Sequence, residues 1–154
     1  MGGKRDQIRM TDEEIRDFLE QSKTMIIISN GKDGYPHAMP MWFVMRDGCA
    51  LLSTFAKSQK VLNVRRDPRV TALAESGVEY DKLKGIMIRG KAEIVEDRSF
   101  VEDVQLAFAH KYVGGPFPGG AEEIIRARAN KRVVVRIIPE KVISWDHSRL
   151  GGGY

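Results

Sequence analysis

A short stretch in the first half of the chain combines two hydroxyl groups and two amines that could together hold an anion. Thr54 and Ser58 supply the hydroxyls, and Lys57 and Lys60 supply the amines. The stretch lies where a predicted strand gives way to a predicted helix. The free N–H groups of a helix's first turn, together with the helix dipole, favour negative charge. The residue types and their placement therefore indicate a site for a phosphate group.

The position of Lys60 within that first turn supports this interpretation. A lysine near the N-terminus of a helix is unfavourable for the helix dipole unless an anion is bound there. Local conflicts of this kind are expected at functional sites. The same residues would also fit an ordinary helix start with solvated lysines, and their spacing alone does not decide between the two interpretations.

The formal net charge of +4 is concentrated around this stretch. Between positions 57 and 69 there are five basic residues and one acidic residue, whereas the basic and acidic residues of the remaining chain balance. The basic residues are Lys57, Lys60, Arg65, Arg66 and Arg69. A local concentration of charge favours a compact anion. A nucleic-acid partner is not expected, because no aromatic residues are interleaved with the charges.

Length and composition limit the class of protein further. A chain of 154 residues fits one domain with a sizeable core. The single cysteine, Cys49, excludes an internal disulfide and indicates a reducing compartment, so we expect a cytoplasmic protein. No apolar run approaches the roughly 18 residues of a membrane span. The three histidines are too scattered to suggest a metal site, and we expect neither a membrane nor a metal as a partner.

Hydrophobic periodicity and turn residues predict about six strands with helices between them. Thr11 and Glu14 form a capping box at the start of the first helix. The predicted strands are 25–29, 37–45, 49–54, 70–75, 85–95 and 132–145, and the predicted helices are 12–22, 58–66, 97–112 and 122–128. This pattern favours a mainly β fold, a closed or half-closed antiparallel barrel. Residues 1–10 are expected to form a flexible tail, 11–150 a single domain and 151–154 a second tail.

Several motifs in a fixed order resemble those of the pyridoxamine 5′-phosphate oxidase superfamily. Thr54, Ser58 and Lys60, followed by Asn63 and the segment 67–70, look like the FMN-phosphate motif of that superfamily. Further matching pieces are 33–36, 40–43, 88–92, Pro139 and 144–147. Each piece is a weak signal by itself, but their order and spacing are specific, and the resemblance extends from Thr11 to Leu150.

Within that superfamily the chain is most similar to the small branch that uses the 5-deazaflavin coenzyme F-420. The segments 63–70 and 144–150 look like the signatures of that branch. The chain also departs from the true pyridoxamine phosphate oxidases, since Gln59 stands where they carry arginine. It lacks their substrate-binding C-terminal ending as well. Pyridoxamine phosphate is therefore a poor candidate for the substrate.

The resemblance implies a six-stranded split β-barrel, a homodimer and a cofactor site at the dimer interface. Trp145 would reach the site of the second protomer, whereas Ser53 and Thr54 would bridge the ring and the phosphate. For Trp42 and Trp145, plain packing is the alternative interpretation. The implied cofactor-binding residues are Met39, Pro40, Met41, Trp42, Ser53, Thr54, Lys57, Ser58, Gln59, Lys60, Arg65 and Trp145.

Three functions fit these observations. The first is an F-420-dependent oxidoreductase that transfers a hydride to or from a small unsaturated or quinone-like substrate. In that case the acidic tail of the coenzyme would suit Lys57, Arg65 and Arg66. The second is an FMN-binding oxidase or reductase with the same fold. The third is a carrier or sensor that binds F-420 without turnover, which stays open because the sequence shows no committed acid–base pair. No catalytic residue is predicted.

Overall fold

The computed structural model describes residues 2–152 and contains five α-helices and seven strands within that range. The helices are Lys4–Gln7 (α1), Asp12–Gln21 (α2), Gln59–Arg66 (α3), Arg98–Tyr112 (α4) and Ala121–Ala127 (α5). The strands are Met25–Asn30 (β1), Pro36–Met41 (β2), Val44–Arg46 (β3), Cys49–Phe55 (β4), Arg69–Ser76 (β5), Lys84–Val95 (β6) and Arg132–Asp146 (β7). Two 3-10 turns cover Tyr80–Lys82 and His147–Leu150.

The seven strands form one antiparallel sheet in the order β2-β1-β5-β6-β7-β4-β3. Its two edge strands, β2 and β3, are joined by only two residues, Trp42 and Phe43. Because two residues span no more than roughly 7 Å, the two edges must meet at that end of the sheet. The sheet is therefore curled into a half-closed barrel, consistent with a split β-barrel.

The predicted number of six strands is wrong, because the predicted strand 37–45 is divided at Trp42 and Phe43. Phe43 forms its main-chain hydrogen bonds with side chains of α4. Its N–H donates to the hydroxyl of Tyr112 at 2.9 Å, and its carbonyl accepts from the Lys111 amine at 2.9 Å. These partners replace those of a neighbouring strand. The chain can therefore leave one edge of the sheet and start the other.

Alternating residues of the strands fill the interior of the barrel. Met25, Ile27, Leu52, Ile86 and Val135 are almost fully buried there. A second apolar cluster forms where α4 packs on the outside of β3, β4 and β7. The two clusters hold the strand β4 between them, so successive residues of β4 face different surroundings.

The segment before α2 is attached to the C-terminal end of the chain, although its composition suggests a loose tail. The Asp146 N–H donates to the Ile8 carbonyl at 2.8 Å, and the Met10 N–H donates to the Ser144 hydroxyl at 3.0 Å. Met10 is buried against the barrel core. Between residues 2 and 152 no helix has the length and apolar character needed to cross a membrane.

Candidate functional site

The predicted junction between strand and helix is present, and it brings the expected hydroxyls and amine together. Thr54 lies near the end of β4, and α3 begins at Gln59 with Ser58 as its N-cap residue. The Lys60 amine donates to the Thr54 hydroxyl oxygen at 3.0 Å, and the Thr54 hydroxyl donates to that of Ser58 at 3.3 Å. We call Thr54, Ser58 and Lys60 the anion cradle.

Lys60 is held in the cradle without a negative partner. Its side chain is partly buried, and this burial lowers the pKa of its amine below the ordinary value for lysine. None of the ion pairs within residues 2–152 includes Lys60. A partly desolvated ammonium ion without a carboxylate is unfavourable, so this arrangement fits the binding of an anion.

The first turn of α3 adds donors to the cradle. Ser58 does not cap the helix with its side chain. Within the described chain, the main-chain N–H groups of Gln59 and Lys60 find no acceptor. Two amide donors, two hydroxyls and an ammonium therefore lie at one helix end, and this donor set suits a phosphate group.

Asn63, a buried residue of α3, fixes the helix against the sheet. Its amide nitrogen donates to the Ser29 hydroxyl at 3.2 Å, and its amide oxygen accepts from the Gln59 side chain at 2.9 Å and from Arg66 at 3.2 Å. The sequence interpretation used Asn63 only as a motif position and missed this positioning role. An asparagine in the middle of a short helix was the available signal, because such a residue is unfavourable there unless its side chain is bonded.

The three arginines of the stretch are engaged elsewhere, whereas Lys57 is not. Arg65 forms an ion pair with Glu96, and Arg66 donates to the Asn30 carbonyl at 2.6 Å. Arg69 pairs with Asp67 at 2.7 Å, and this contact holds the pKa of the Asp67 carboxyl well below its usual range. Arg65 therefore lies outside the cradle. Lys57 is exposed and has no ion-pair partner among the described residues.

Ser53 points away from the cradle. Neighbouring residues of a strand face opposite sides of the sheet, so Ser53 and Thr54 cannot both reach the same site. Ser53 contacts α4 instead, where its hydroxyl accepts a hydrogen bond from the side chain of Gln105. Sequence reasoning could have detected this, because Leu52 and Thr54 share the inward-facing alternation of β4.

The residues predicted to lie along a cofactor ring sit at the edge of the barrel. Met39, Pro40 and Trp42 are exposed, whereas Met41 is half-buried against the core. The Trp42 indole stacks on the Tyr112 ring, with ring centroids 4.2 Å apart and an interplanar angle of 6°. This stacking fixes the link between β2 and β3, and it leaves the exposed apolar edge beside it free for a ligand or a partner.

Trp145 lies in a different part of the protomer. It pairs with Gly85 near the end of β7, and the cavity that it lines includes none of the cradle residues. By contrast, Thr54 pairs with Val133 near the start of the same strand. One protomer therefore does not bring Trp145 to the anion cradle, and only a second protomer could do so.

The fold and the cradle define a split β-barrel protein with a site suited to a phosphate-bearing ligand. The sequence matches the pyridoxamine 5′-phosphate oxidase family over residues 11–146, and the chain belongs to that family. The resemblance inferred from Thr54, Ser58 and Lys60 is thereby confirmed.

Comparison with known structures gives the same fold. The conserved hypothetical protein Rv2991 of Mycobacterium tuberculosis is 40% identical with a TM-score of 0.91, and the match covers 99% of this chain and 95% of that one. An F-420 reductase is 22% identical with a TM-score of 0.64, covering 82% of this chain and 94% of the other. A FAD-binding protein of Mesorhizobium loti is 19% identical with a TM-score of 0.67, covering 88% and 94%. No curated protein matches the chain.

Proposed function

We propose that the protein is an F-420-dependent oxidoreductase that transfers a hydride between the reduced coenzyme and a small unsaturated or quinone-like substrate. The observation that carries this proposal is the partly buried Lys60 ammonium, which faces the Thr54 hydroxyl and has no carboxylate partner. In a member of this family, such a cradle is best explained by the phosphate of a flavin-type cofactor. The F-420 reductase of the same fold supports the choice of a deazaflavin.

The roles of the chain's own residues follow from the geometry. Lys60, Thr54 and Ser58 would hold the phosphate, together with the free N–H groups at the start of α3. Gln59 would contribute its N–H rather than its side chain, because the side chain donates to Asn63. Lys57 would add positive charge at the exposed mouth of the site. The bound deazaflavin itself would supply the hydride chemistry, so the protein need only bind, orient and exclude water.

The ring of the cofactor would lie along the edge formed by residues 39–42. Met39 and Trp42 expose apolar surface there, and the Tyr112 ring beneath Trp42 keeps the indole in place. A planar ring system gains from contact with exposed apolar and aromatic groups because their surface is removed from water. Pro40 and Met41 belong to the same edge.

An FMN-binding oxidase or reductase is the second candidate, and one observation favours it. Arg65 pairs with Glu96 and Arg66 is bonded to Asn30, so two of the three residues expected to attract the acidic tail of F-420 are already engaged. Only Lys57 remains free of such a partner among the described residues. A single phosphate, as in FMN, would need no more positive charge than Lys57 and Lys60 provide.

We further propose that the protein is a twofold homodimer with its cofactor sites at the interface. One residue from each of five neighbouring strands contributes to an apolar row on the outer face of the sheet. The row consists of Pro40, Ile26, Leu73, Met87 and Ile143. A continuous apolar row of this kind is a good surface for a second copy, which would also bring Trp145 towards the partner's site.

Side-by-side titrations with F-420 and FMN test the proposed cofactor. We expect tighter binding of F-420, followed by a spectral change when an enone or quinone substrate is added to the reduced complex. Tighter binding of FMN would establish the second candidate. Tight binding of F-420 without turnover across a substrate panel would instead indicate a carrier or sensor.

A further inference from the structure

Positive charge collects on the surface where β4 ends and β7 begins. Phe55 is the last residue of β4, and it pairs with Arg132, the first residue of β7. The Ala56 N–H donates to the Lys131 carbonyl at 2.9 Å, which joins the segment after β4 to the turn before β7. We call the residues Phe55, Lys57, Lys131 and Arg132 the basic patch.

The three cations of the basic patch have no carboxylate partner. None of the ion pairs within residues 2–152 includes Lys57, Lys131 or Arg132. By contrast, Arg65 of the neighbouring helix α3 is paired with Glu96. Cations that share a surface repel one another, and a partner that brings several carboxylates would relieve this repulsion.

The Arg132 side chain is oriented by an aromatic ring. The central carbon of its guanidinium lies over the Phe55 ring, 4.3 Å from the ring centroid. This cation–π contact holds the guanidinium in place but supplies no acceptor for its N–H groups. A guanidinium can bind a carboxylate through two parallel hydrogen bonds, and one that is already oriented loses less freedom when it does so. Phe55 is 56% exposed and adds apolar surface beside it.

Lys131 occupies a main-chain conformation that lysine rarely adopts. Its φ angle is 62°, in the left-handed region that glycine and asparagine adopt more readily. An asparagine stands one position earlier, at Asn130, yet the turn places the lysine at this point. Unfavourable main-chain conformations of this kind cluster at functional sites. The turn therefore presents Lys131 next to Arg132 at a cost in backbone energy.

The basic patch faces away from the anion cradle. Because neighbouring residues of a strand face opposite sides of the sheet, Phe55 lies on the other face from Thr54. Lys57 lies in the loop between the two sites. The apolar row of the proposed dimer reaches β7 only at Ile143, near the other end of the strand. Neither the proposed cofactor nor the second protomer therefore accounts for the unpaired charge of Arg132.

We propose that the basic patch is a docking surface for an acidic segment of a partner protein. Carboxylates of the segment would bond to Arg132 and neutralise Lys57 and Lys131, while an apolar side chain would cover the exposed part of the Phe55 ring. A nucleic acid fits less well, because the guanidinium already lies over the one aromatic ring of the patch and leaves little surface for stacked bases. The proposal concerns binding alone and does not depend on the proposed redox function.

Fluorescence anisotropy of three labelled probes, titrated with the full chain at about 0.15 M salt, tests the proposal. The probes are a hexaglutamate peptide, a hexaglutamine peptide and a thymidine oligonucleotide of the same length. We expect hexaglutamate to bind at least tenfold more tightly than hexaglutamine, and more tightly than the oligonucleotide.

Two substitutions of Arg132 separate the geometry of the guanidinium from its charge. Arg132→Gln should remove the advantage of hexaglutamate over hexaglutamine. Arg132→Lys keeps the charge but loses the planar group, so it should still weaken hexaglutamate binding at least threefold. Arg16→Gln, which removes an exposed cation of α2, is the matched control and should change the affinity less than twofold.

Several outcomes would overturn the proposal. Equal or undetectable binding of the two peptides would show that the patch does not select carboxylates. Equal losses in Arg132→Gln and Arg16→Gln would show that overall charge alone attracts the peptide, and full binding in Arg132→Lys would exclude the oriented guanidinium. Tighter binding of the oligonucleotide would make the patch a nucleic-acid surface. Loss of hexaglutamate binding in Lys60→Ala would place the peptide in the anion cradle.

Thermal melts followed by circular dichroism identify variants that do not fold. Lys131→Gln replaces Arg132→Gln in that case, because it removes a charge of the same patch from an exposed side chain. Failure of F-420 or FMN to bind would leave these titrations unaffected, so the proposed function and this proposal can fail separately.

Discussion

Lys60 and Lys57 differ in their surroundings, and the two lysines should therefore differ in their importance for binding. The Lys60 amine is partly buried and bonded to Thr54, whereas Lys57 is exposed. A charge-assisted hydrogen bond to a partly buried phosphate contributes roughly 1.5–3 kcal/mol, whereas an exposed ion pair contributes about 0–1 kcal/mol. The expected losses of binding free energy on removing Lys60 and Lys57 therefore differ enough to be distinguished by experiment.

Lys60→Ala should weaken cofactor binding by about tenfold or more, since 1.4 kcal/mol corresponds to one decade. Lys57→Ala should weaken it only a few-fold, and this smaller loss should shrink as salt is raised. Absorbance titrations at two ionic strengths measure both effects. If folded Lys60→Ala bound the cofactor as well as the parent does, the phosphate site would have to lie elsewhere.

The burial of the Lys111 amine can be tested in the absence of any ligand. Burial lowers the pKa of its amine from 10.5 to about 8. Below about pH 8 the amine is charged in both the folded and the unfolded chain, and the cost of burying the charge is present in full. Between about pH 8 and 10.5 the folded chain releases the proton first, so the free energy of unfolding should rise with pH.

The size of this rise should be of the order of 1 kcal/mol, because the partial exposure of the amine reduces the effect. Lys111→Met should lack it. Urea unfolding of both proteins at pH 7 and pH 9.5 provides the comparison, and the difference between the two pH dependences isolates Lys111 from other titrating groups. An equal pH dependence in both proteins would contradict the assigned burial.

For single residues, the sequence predicts contacts between near neighbours but not contacts between residues that are far apart in the chain. The capping box of Thr11 and Glu14 forms as expected, because both partners lie within one helical turn. The cradle was also predictable, since Thr54, Ser58 and Lys60 are neighbours in the sequence. The pairing of Arg65 with Glu96 was not, because the two are separated by two entire strands, β5 and β6.

The strands β2 and β3 show that the division of the sheet into strands can also depend on contacts that are distant in the sequence. The run 37–45 reads as one strand, and nothing within it marks the break at Phe43. The break depends on Tyr112 and Lys111, which α4 brings to the Phe43 main chain from about seventy residues away. The fold class could therefore be predicted from the sequence, whereas the strand count could not.

Two glycines of β6 offer a matched pair of substitutions. A Cβ atom at Gly90 would lie 2.0 Å from the Ile138 carbonyl oxygen, beside the register shift at this point of the sheet. A Cβ atom at Gly85 would lie 2.2 Å from the Trp145 ring, which can rotate away. A main-chain carbonyl in a paired strand has no comparable freedom. The two alanine variants should therefore differ in cost.

Gly90→Ala should lower the free energy of unfolding by about 3 kcal/mol, and Gly85→Ala by only about 1 kcal/mol. Gly85→Ala should also change the tryptophan fluorescence, because it displaces the Trp145 indole. Urea unfolding and emission spectra measure these effects. Equal destabilisation by the two substitutions would show that the Trp145 ring is held as firmly as the main chain.

For the whole molecule, the proposed dimer predicts that one charged substitution in the apolar row separates the protomers. Ile143 is 37% exposed in the single chain and lies in that row, whereas Val78 is 89% exposed and lies outside it. Ile143→Glu should sediment as a monomer at micromolar concentration, because a carboxylate would be buried against apolar residues. Val78→Glu should remain dimeric. A monomeric parent protein would refute the dimer and the shared site together.

The place of β7 in the sheet has a consequence for biosynthesis. This strand pairs with β4 on one side and with β6 on the other, and it begins only at Arg132. Without β7 the strand order divides into β2-β1-β5-β6 and β4-β3, and β6 and β4 each lose the partner on one side. Exposed edges of this kind pair readily with other chains. A nascent or truncated chain that stops before Arg132 should therefore depend on chaperones to stay soluble, whereas the complete strand closes both edges in a single step.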